Sequence, residues 1–485
     1  ERSVLELLEQ YSFLVCPHGV YLEEEDKIFS FVHIGLPRLQ KVASIFYSED
    51  FKRILREKTP NISEIRLSTE MDLLEFTFDL GDIDPSEIGR VFAALREKKQ
   101  YYRLKDGSFL PLDGKELNGM AQIVDQLDIS DKDLKQKTML VPKYGALYID
   151  QQLKEGGIQN VKKNSAFEEL IRDIRDPAEV PIRIPDSLET TLRDYQKLGF
   201  KWLKTLSHYG MGGILADDMG LGKTLQVLAM LLSDKEEGLH MPSLLRRDKE
   251  DYESYSFRYC IIDEAQHIKN PVSQSAKAVK SVRAQRRFAM TGTPMENSLT
   301  ELWSIFDFIL PGYLLTHTKF MSTYEKPIVK EQDNDAVTNL ANHIKPFILR
   351  RLKSDVLKEL PEKIETRMIA ELTDDQKKIY LAYLSKARGD IAAEINHSGY
   401  QRSQIKILAA LTRLRQICCY PGIFLENYKG ESGKLLLLDE VLQDALGGGH
   451  RVLLFSQFTS ILKLIRERLE GNRIHTFYLD GNTEV

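Results

Sequence analysis

Residues 216–224 read ADDMGLGKT, and this stretch decides the fold expected for the middle of the chain. The apolar letters GGIL precede it and LQVLAMLL follow it, so a strand, a glycine-containing loop and a helix succeed one another. In that order, the backbone N–H groups of the loop converge on an anion at the start of the helix. Asp217 stands at the first glycine of the general pattern G-x-x-x-x-G-K-[ST]. The stretch is therefore either a variant phosphate-binding loop or a glycine turn that binds nothing.

The residue types in this loop suit a nucleoside triphosphate. Gly220 and Gly222 let the backbone approach phosphates closely and take positive φ. Lys223 would neutralise the β- and γ-phosphates, and Thr224 would supply a hydroxyl ligand to Mg²⁺. We therefore expect ATP and Mg²⁺ as cofactors. The expected nucleotide ligands in the loop are Met219, Gly220, Leu221, Gly222, Lys223 and Thr224.

Two further segments place polar residues after apolar strands. The letters YCII lead to Asp263 and Glu264, and ligands of an open parallel sheet bind at the carboxyl ends of its strands. Asp263 would hold Mg²⁺ and Glu264 would act on the attacking water, although an apolar run ending in Asp-Glu is also an ordinary strand end. The letters FAM lead to Thr291, Gly292 and Thr293, which would sense the γ-phosphate or, alternatively, cap a turn before the next helix.

The charge of the chain is unevenly distributed. Its 485 residues carry a net charge of -5, with 42% hydrophobic and 29% charged residues, the balance of a globular protein of several domains. Residues 1–186 carry -8 and residues 187–485 carry +3, which predicts an acidic front module joined to a mildly basic one. Six cations and no acid lie between residues 269 and 287, which predicts a polyanion contact or a solvated helix face. The nucleic-acid candidates there are Lys269, Lys277, Lys280 and Arg283.

Cysteine and hydropathy patterns exclude several protein classes. The four cysteines form no C-x-x-C pair, so we expect reduced thiols and no zinc site. No apolar run approaches the roughly 20 residues that span a bilayer. The opening letters ERSVLELLEQ are charged and helical, unlike a signal peptide. We therefore expect a cytoplasmic protein without a membrane contact.

The front of the chain mixes helix and strand signals. LLEFTF alternates like a strand, DPSE begins a helix, and two short strands flank Asp106-Gly107 as a hairpin. A helix followed by a hairpin predicts an α+β core, with a winged DNA-reading domain as the alternative. Prolines in DPAEVPIRIPD predict an extended linker over residues 177–186.

Beyond the linker, strands and helices alternate, which predicts a parallel sheet covered by helices on both faces. Residues 370–417 have helical apolar spacing. After them the alternation resumes, with helices predicted at LLLLDEVLQDAL and FTSILKLIRERLE. Strands are predicted at HRVLLFS and RIHTFYLDG.

The chain contains several longer distinctive stretches, namely LRDYQKLGFKWL, GGILADDMGLGKT, IIDEAQHIKN, MTGTPMENSLTELWSIFDFILPG, LRRLKSDVLKELPEK, LRQICCYPGI and RVLLFSQFTSILKLI. Together they resemble the SWI/SNF-type family of superfamily 2 helicase-like ATPases. The front module is similar to the helicase-associated region of bacterial members. Members of this family have an aspartate at the position of Asp217, so the resemblance favours the phosphate-binding loop over the glycine turn.

The resemblance implies an α/β fold with two RecA-like lobes, the second incomplete, plus helical insertions and an α+β N-terminal domain. The implied domains are a helicase-associated domain (1–176), a linker (177–186), the first lobe (187–345), a helical insertion with the inter-lobe connection (346–433), and the start of the second lobe (434–485).

The resemblance also implies residue roles. Gln196 would pair with adenine, because an amide carries both a donor and an acceptor. Lys223, Asp263 and Glu264 would be catalytic, and Gln266 stands where many relatives have His. The implied basic segment between the lobes, a further set of nucleic-acid candidates, contains Arg350, Arg351 and Lys353.

Two departures from the family pattern indicate either an inactive protein or, as we expect, omitted residues. The letters MPSLLRRDKEDYESYSFRYCIID leave too little chain for the strands and helices that relatives place before Asp263. The arginine fingers that relatives supply from the second lobe lie beyond Asp480-Gly481-Asn482. An intact mass well above 55.8 kDa for the natural protein would support this expectation.

The function that the resemblance implies is ATP-driven translocation along double-stranded DNA by a monomer that displaces or remodels bound proteins. RNA polymerase, nucleoid proteins and repair complexes are partners by family analogy. Two alternatives stay open: a strand-separating DNA or RNA helicase, and a scaffold that binds ATP with little turnover.

Overall fold

A computed structural model describes residues 2–236 and 255–483, apart from residues 17–18, 49–50, 52–53, 55–60, 69, 80, 82, 131, 137, 157, 159, 360, 362 and 426. The short connection predicted before Asp263 falls largely on residues 241–254, outside the described part. The chain divides into two compact units, unit 1 (residues 1–360) and unit 2 (residues 361–485).

Unit 1 begins with a small segment that has its own core. It contains helices α1 (Arg2–Gln10), α2 (Glu25–Ser30) and α3 (Leu36–Leu39) and the antiparallel strands β1 (Leu14–Cys16) and β2 (Gly19–Tyr21). Phe31 is the centre of this core, and the rings of Tyr11 and Phe13 pack edge-on against it at centroid distances of 5.5 and 4.7 Å.

A mixed sheet forms the centre of the front module. Its order is β7-β4-β3-β8, from strands β3 (Asn61–Ser68), β4 (Leu73–Asp79), β7 (Thr138–Pro142) and β8 (Lys162–Lys163). The predicted alternation in β4 is confirmed, because Leu74, Phe76 and Phe78 are buried. Helices α5 (Lys115–Gln126) and α7 (Ser165–Arg175) pack against β3, and α6 (Ala146–Glu155) lies between them in the chain.

The predicted helix and hairpin of the front module are both present. Helix α4 (Ile88–Arg96) follows Asp84, whose carboxylate accepts a hydrogen bond from the Ser86 N–H at 2.8 Å. Strands β5 (Tyr101–Arg103) and β6 (Phe109–Pro111) pair antiparallel. The Tyr101 ring stacks on Phe29 and meets Phe109 edge-on. This hairpin face is used for packing, which favours the α+β core over a winged DNA reader.

The predicted parallel sheet is confirmed in the middle of the chain. Its order is β10-β11-β9-β12, from β9 (Gly213–Leu215), β10 (Phe257–Ile262), β11 (Ala284–Met290) and β12 (Ile348–Leu349). Leu215 is in register with Met290 on one side and Leu349 on the other, so the carboxyl ends of three strands lie side by side. The helices of this region are α8 (Asp194–His208), α9 (Lys223–Glu236), α10 (Gln274–Ser281), α11 (Leu299–Ile309), α12 (His317–Phe320), α13 (Asn334–Ile344) and α14 (Lys353–Val356).

The front module and the parallel sheet share a core around His343 on α13. His343 is fully buried, and its Nδ1 lies 2.8 Å from Gln126 Nε2 on α5. The Tyr148 ring of α6 and the Tyr313 ring lie 4.7 and 4.2 Å from the imidazole. Burial lowers the pKa of His343 from 6.5 to about 3, so the imidazole is neutral at pH 7.

We expect acid to destabilise unit 1 through His343. The unfolded chain binds a proton on this residue below pH 6.5, whereas the folded chain does not until about pH 3, so stability falls as the pH drops through this window. The expected loss at pH 5 relative to pH 7 is roughly 2 kcal/mol. Urea titrations at both pH values measure the free energy of unfolding. His343→Leu should lose this pH dependence, whereas the control His450→Gln, at an exposed residue, should keep it. An equal pH dependence of stability in His343→Leu and the parent protein would contradict the assignment.

Unit 2 is built from helices. They are α15 (Asp374–Ser398), α16 (Tyr400–Cys419), α17 (Gly433–Gly447) and α18 (Thr459–Gly471), which confirms the helical prediction for residues 370–417. Gln376 is buried, and its amide joins three segments: Nε2 donates to the Ile417 carbonyl at 3.0 Å, and Oε1 accepts from the Gly433 N–H at 2.9 Å. Leu435, Ile461 and Ile465 form a small core.

The two strands predicted in unit 2 are wrong for the described residues. In the described part of the chain, residues 450–456 and 473–481 have no hydrogen-bonded partner strand. Leu453 is 86% exposed and Phe477 is 96% exposed. Alternating or continuous apolar letters indicate that a segment can enter a sheet, but a strand also needs a neighbour for its backbone hydrogen bonds. The predicted α/β fold class therefore rests on the parallel sheet of unit 1.

All four cysteines are free thiols, as expected. Burial raises the pKa of Cys260 to about 11, so this thiol stays protonated at neutral pH. Within the described ranges, every helix is too short or too polar to cross a bilayer.

Candidate nucleotide site

The loop of residues 216–224 joins β9 to α9 at the carboxyl end of the parallel sheet. Gly220 and Gly222 have φ values of +87° and +75°, a region that glycine adopts without strain. A Cβ atom on Gly222 would lie 2.5 Å from Gln196 Nε2, so a larger residue would displace that amide. Lys223 Nζ donates to the Asp217 carbonyl at 2.8 Å and so lies over the loop. This geometry suits the predicted binding of phosphates.

Asp217 has a structural task that a glycine could not perform. Its side chain is fully buried, and Oδ1 accepts a hydrogen bond from Arg351 Nε at 2.9 Å. Oδ2 accepts from Gln226 Nε2 at 3.1 Å and also from Arg351 Nη2. A bidentate pair of this kind combines charge with fixed geometry. The carboxylate therefore fastens the start of the phosphate loop to a residue far along the chain.

Arg351 uses its other donors nearby. Nη2 donates to Gln226 Oε1 at 2.7 Å, Nη1 donates to the Tyr195 carbonyl, and the guanidinium lies 5.3 Å from the centre of the Tyr195 ring. A Cβ atom on Gly199 would lie 1.8 Å from Gln226 Oε1, so this glycine leaves room for the network. The sequence placed Arg351 among nucleic-acid candidates and did not single out Gln226 or Gly199. The sequence feature that could have indicated this network is the aspartate at a glycine position, because a buried carboxylate needs a cationic partner.

Gln196, which the sequence predicts to contact adenine, lies beside the phosphate loop. Its Oε1 accepts from the Arg193 N–H at 3.0 Å, and its Nε2 donates to the Leu221 carbonyl at 3.1 Å. The Tyr195 hydroxyl donates to the same carbonyl at 3.2 Å. Both ends of the amide thus contact protein backbone. The Leu221 carbonyl accepts the hydrogen bond that the amide could otherwise donate to a nucleotide base.

The carboxylates predicted for catalysis follow β10. Asp263 and Glu264 are both exposed. Glu264 has φ +54°, a left-handed conformation that non-glycine residues adopt at a cost and that often marks functional sites. The Asp263 carboxylate accepts from the Glu264 N–H at 2.9 Å and so holds this turn.

Gln266 joins the second and third predicted segments. Its Nε2 donates to Glu264 Oε2 at 2.7 Å, and its Oε1 accepts from the Thr291 hydroxyl at 3.2 Å. Thr291 is buried and its hydroxyl also accepts from the Thr293 N–H at 3.1 Å. An amide donates and accepts at once at any pH, so Gln266 makes both bonds without a titrating group of its own.

The third segment also lies next to the phosphate loop. A Cβ atom on Gly292 would lie 3.3 Å from Met219 Cγ. The Thr293 hydroxyl donates to Glu296 at 2.6 Å, and Lys269 Nζ lies 3.1 Å from the same carboxylate. The Thr293 and Lys269 hydrogen bonds lower the pKa of Glu296. Gln266 therefore links Glu264 to Thr291, and Gly292 lies beside Met219 of the phosphate loop.

The seven nucleic-acid candidates divide into three groups. Lys269 is buried against Glu296 and Glu301, Lys280 pairs with Asp307 at 2.6 Å, and Arg351 is bound to Asp217. Lys353 lies beside the phosphate loop. In the described part of the chain, the exposed side chains of Lys277, Arg283 and Arg350 form no ion pair.

Thr224 and Asp263, the predicted Mg²⁺ ligands, are exposed at the carboxyl end of the sheet. Among the residues whose positions are described, no three His, Cys, Asp or Glu side chains form a metal cage. Mg²⁺ needs no such cage when a nucleotide is bound, because phosphates and waters supply most of its oxygens. A hydroxyl and a carboxylate therefore fit a nucleotide-bound Mg²⁺ here.

Two family models match the chain. The "Bacterial SNF2 helicase associated" model matches residues 1–185. The "SNF2-related domain" model matches residues 195–244 and 241–423. Its two matched segments meet where the sequence leaves little chain before β10.

Curated relatives are about one third identical to this chain over the aligned residues. "TATA-binding protein-associated factor MOT1" of Saccharomyces cerevisiae is 32% identical over 334 residues, 53% of this chain and 18% of that protein. "Putative ATP-dependent helicase/translocase YwqA" of Bacillus subtilis is 33% identical over 364 residues, 62% of this chain and 39% of that protein. A solved structure, "Sulfolobus solfataricus SWI2/SNF2 ATPase core in complex with dsDNA", is 33% identical and covers 58% of this chain and 70% of that chain, with a TM-score of 0.35. The chain thus spans less than half the length of these curated relatives.

Proposed function

We propose that this chain, which belongs to the SWI/SNF-type family of helicase-like ATPases, is the ATP-hydrolysing part of a double-stranded DNA translocase. The observation that carries the proposal is the contact network at one edge of the parallel sheet. Gln266 links Glu264 to Thr291, and Gly292 lies against Met219 of the phosphate loop. A group that acts on water and a group placed to sense phosphate are thereby held in one assembly.

Each residue has a defined task in the proposed hydrolysis. The loop amides and Lys223 would bind the triphosphate, and Thr224 and Asp263 would hold Mg²⁺. Mg²⁺ supplies charge neutralisation to the phosphates when it is bound. Glu264 accepts a proton from the attacking water or orients it, and the Gln266 amide fixes the direction of that carboxylate.

Loss of the γ-phosphate can be passed on through Thr291. Its hydroxyl donates to Gln266 and accepts from the Thr293 N–H, so a shift of the Thr291 side chain disturbs both hydrogen bonds. Thr293 in turn bonds to Glu296, which pairs with Lys269. We propose that this relay couples the nucleotide state to the rest of the lobe.

Duplex DNA is the proposed polymer on which the motor acts. Lys277, Arg283 and Arg350 are exposed cations suited to phosphates, which carry no sequence information. Movement along a backbone needs contacts of this kind rather than base recognition. The proposed targets are DNA-bound proteins such as RNA polymerase, nucleoid proteins or repair complexes, met by a monomer in the cytoplasm or nucleoid.

Steady-state ATPase measurements on the intact protein test this function. We expect duplex DNA to stimulate hydrolysis more than single-stranded DNA or RNA, because duplex DNA is the polymer on which the proposed motor acts. Greatest stimulation by RNA would favour a strand-separating helicase. ATP binding without turnover under all these conditions would favour the nucleotide-dependent scaffold.

A further inference from the structure

The segment that leaves the parallel sheet lies against the phosphate loop. Residues 350–353 follow β12, and two backbone contacts hold them there. The Asp218 N–H donates to the Arg351 carbonyl at 3.0 Å, and the Asp218 carboxylate accepts from the Lys353 N–H at 3.0 Å. Together with the buried Asp217–Arg351 pair, these bonds fasten both sides of Leu352 to the loop.

This attachment brings the Lys353 ammonium to Gly220. A Cβ atom on Gly220 would lie 3.4 Å from Lys353 Nζ and 3.5 Å from Lys353 Cε. The Lys353 side chain is exposed, and in the described ranges it has no carboxylate partner. In addition to Lys223, a lysine without a carboxylate partner among the described residues therefore lies beside a glycine of the phosphate loop.

We propose that Lys353 is a nucleotide-binding residue that contacts the phosphates of ATP. The inference deepens the proposed function, on which it rests, and moves Lys353 from the nucleic-acid candidates to the nucleotide site. A triphosphate carries several negative charges, and a lysine held at the rim of its cradle supplies a mobile donor with three N–H groups. The exposed neighbour Arg350, which has no such attachment to the loop, stays with the nucleic-acid candidates.

The arrangement also explains why the attachment is so firm. Lys353 has a long flexible stem, so its ammonium can stay near Gly220 only if its backbone is fixed. Asp218 fixes that backbone directly, and Asp217 fixes it through Arg351. The consecutive aspartates at the head of the loop thus both help to hold Lys353 beside Gly220.

The test compares Lys353→Ala with Lys358→Ala in the intact protein. Lys358 is an exposed lysine further along the same segment and serves as the matched control for loss of one positive charge. Affinities for Mg²⁺-ATP and for a short DNA duplex are measured separately by calorimetry and fluorescence anisotropy. We expect Lys353→Ala to raise the Kd for ATP by about 3- to 30-fold, and Lys353→Arg to recover part of this loss. Lys358→Ala should leave the Kd for ATP unchanged.

The ratio of the Kd values for ATP of Lys353→Ala and Lys358→Ala decides the inference. Equal ATP affinity in Lys353→Ala and Lys358→Ala overturns it, whatever happens to DNA binding. Removing Lys353 would then either have no effect or have the effect of removing any positive charge in this segment. Lys223→Ala separates this failure from failure of the proposed function. If Lys223→Ala loses ATP and Lys353→Ala does not, the phosphate loop stands and only the role of Lys353 falls. If neither the parent protein nor Lys223→Ala binds ATP, the proposed function itself falls.

Discussion

Glu264→Gln is expected to lower the rate of ATP hydrolysis by about 10²- to 10⁴-fold while ATP binding is retained. The side chain lies on an exposed turn that the Asp263 carboxylate holds. The variant keeps its size but replaces one carboxylate oxygen with an amide NH2 group, which removes the negative charge and the basic oxygen. Gln266 can still bond to the remaining amide oxygen through Nε2, so the local geometry should persist. The measurement is steady-state ATPase with saturating duplex DNA, together with ATP affinity by calorimetry.

Lys223→Ala is the complementary variant, because Lys223 is proposed to bind the phosphates rather than to act on water. It should weaken ATP binding as well as hydrolysis, whereas Glu264→Gln should affect hydrolysis alone. If neither variant changed ATP-dependent activity on DNA, the motor interpretation would be wrong. A scaffold that binds ATP with little turnover would respond to Lys223→Ala and not to Glu264→Gln.

Asp217→Gly, which restores the general phosphate-loop pattern, is expected to destabilise unit 1 by about 3–5 kcal/mol. The variant leaves the Arg351 guanidinium, only 10% exposed, without its carboxylate, and breaking a buried pair costs more than the pair contributes on its own. The loop would also lose the bond that orients Gln226. Urea unfolding at pH 7 measures the loss, and ATP affinity should fall with it because the loop is no longer held.

Two controls define the size of this effect. Arg183 and Asp186 form an ion pair at 2.8 Å with both side chains 82% exposed, so Arg183→Ala should change stability by less than about 1 kcal/mol. The double variant Asp217→Gly with Arg351→Met should be less destabilised than the sum of the single variants, since it leaves no unpaired buried charge. A stability change for Asp217→Gly as small as that of Arg183→Ala would show that the buried pair is not what holds the loop.

The site illustrates how far sequence patterns reach. The loop glycines, the carboxylates after β10 and the threonines after β11 were placed at strand ends by apolar runs, and the structure puts them at one edge of the sheet. The charge cluster was less informative, because a count of cations does not show that Lys269 and Lys280 pair with acids from α11 or its preceding turn. The pairing of Arg351 with Asp217 likewise depends on a partner that lies far away in the chain.

Periodicity and turn chemistry act over a few residues, so the sequence alone determined the parallel sheet, the phosphate loop and the hairpin of the front module. It also determined that Asp217 replaces a glycine. The tertiary structure decided what that aspartate does, because a buried carboxylate needs a cation and the chain brings Arg351 to it from beyond β12. It likewise decided that the apolar segments of unit 2 stay unpaired in the described residues, since a strand forms only where a neighbouring strand accepts its hydrogen bonds.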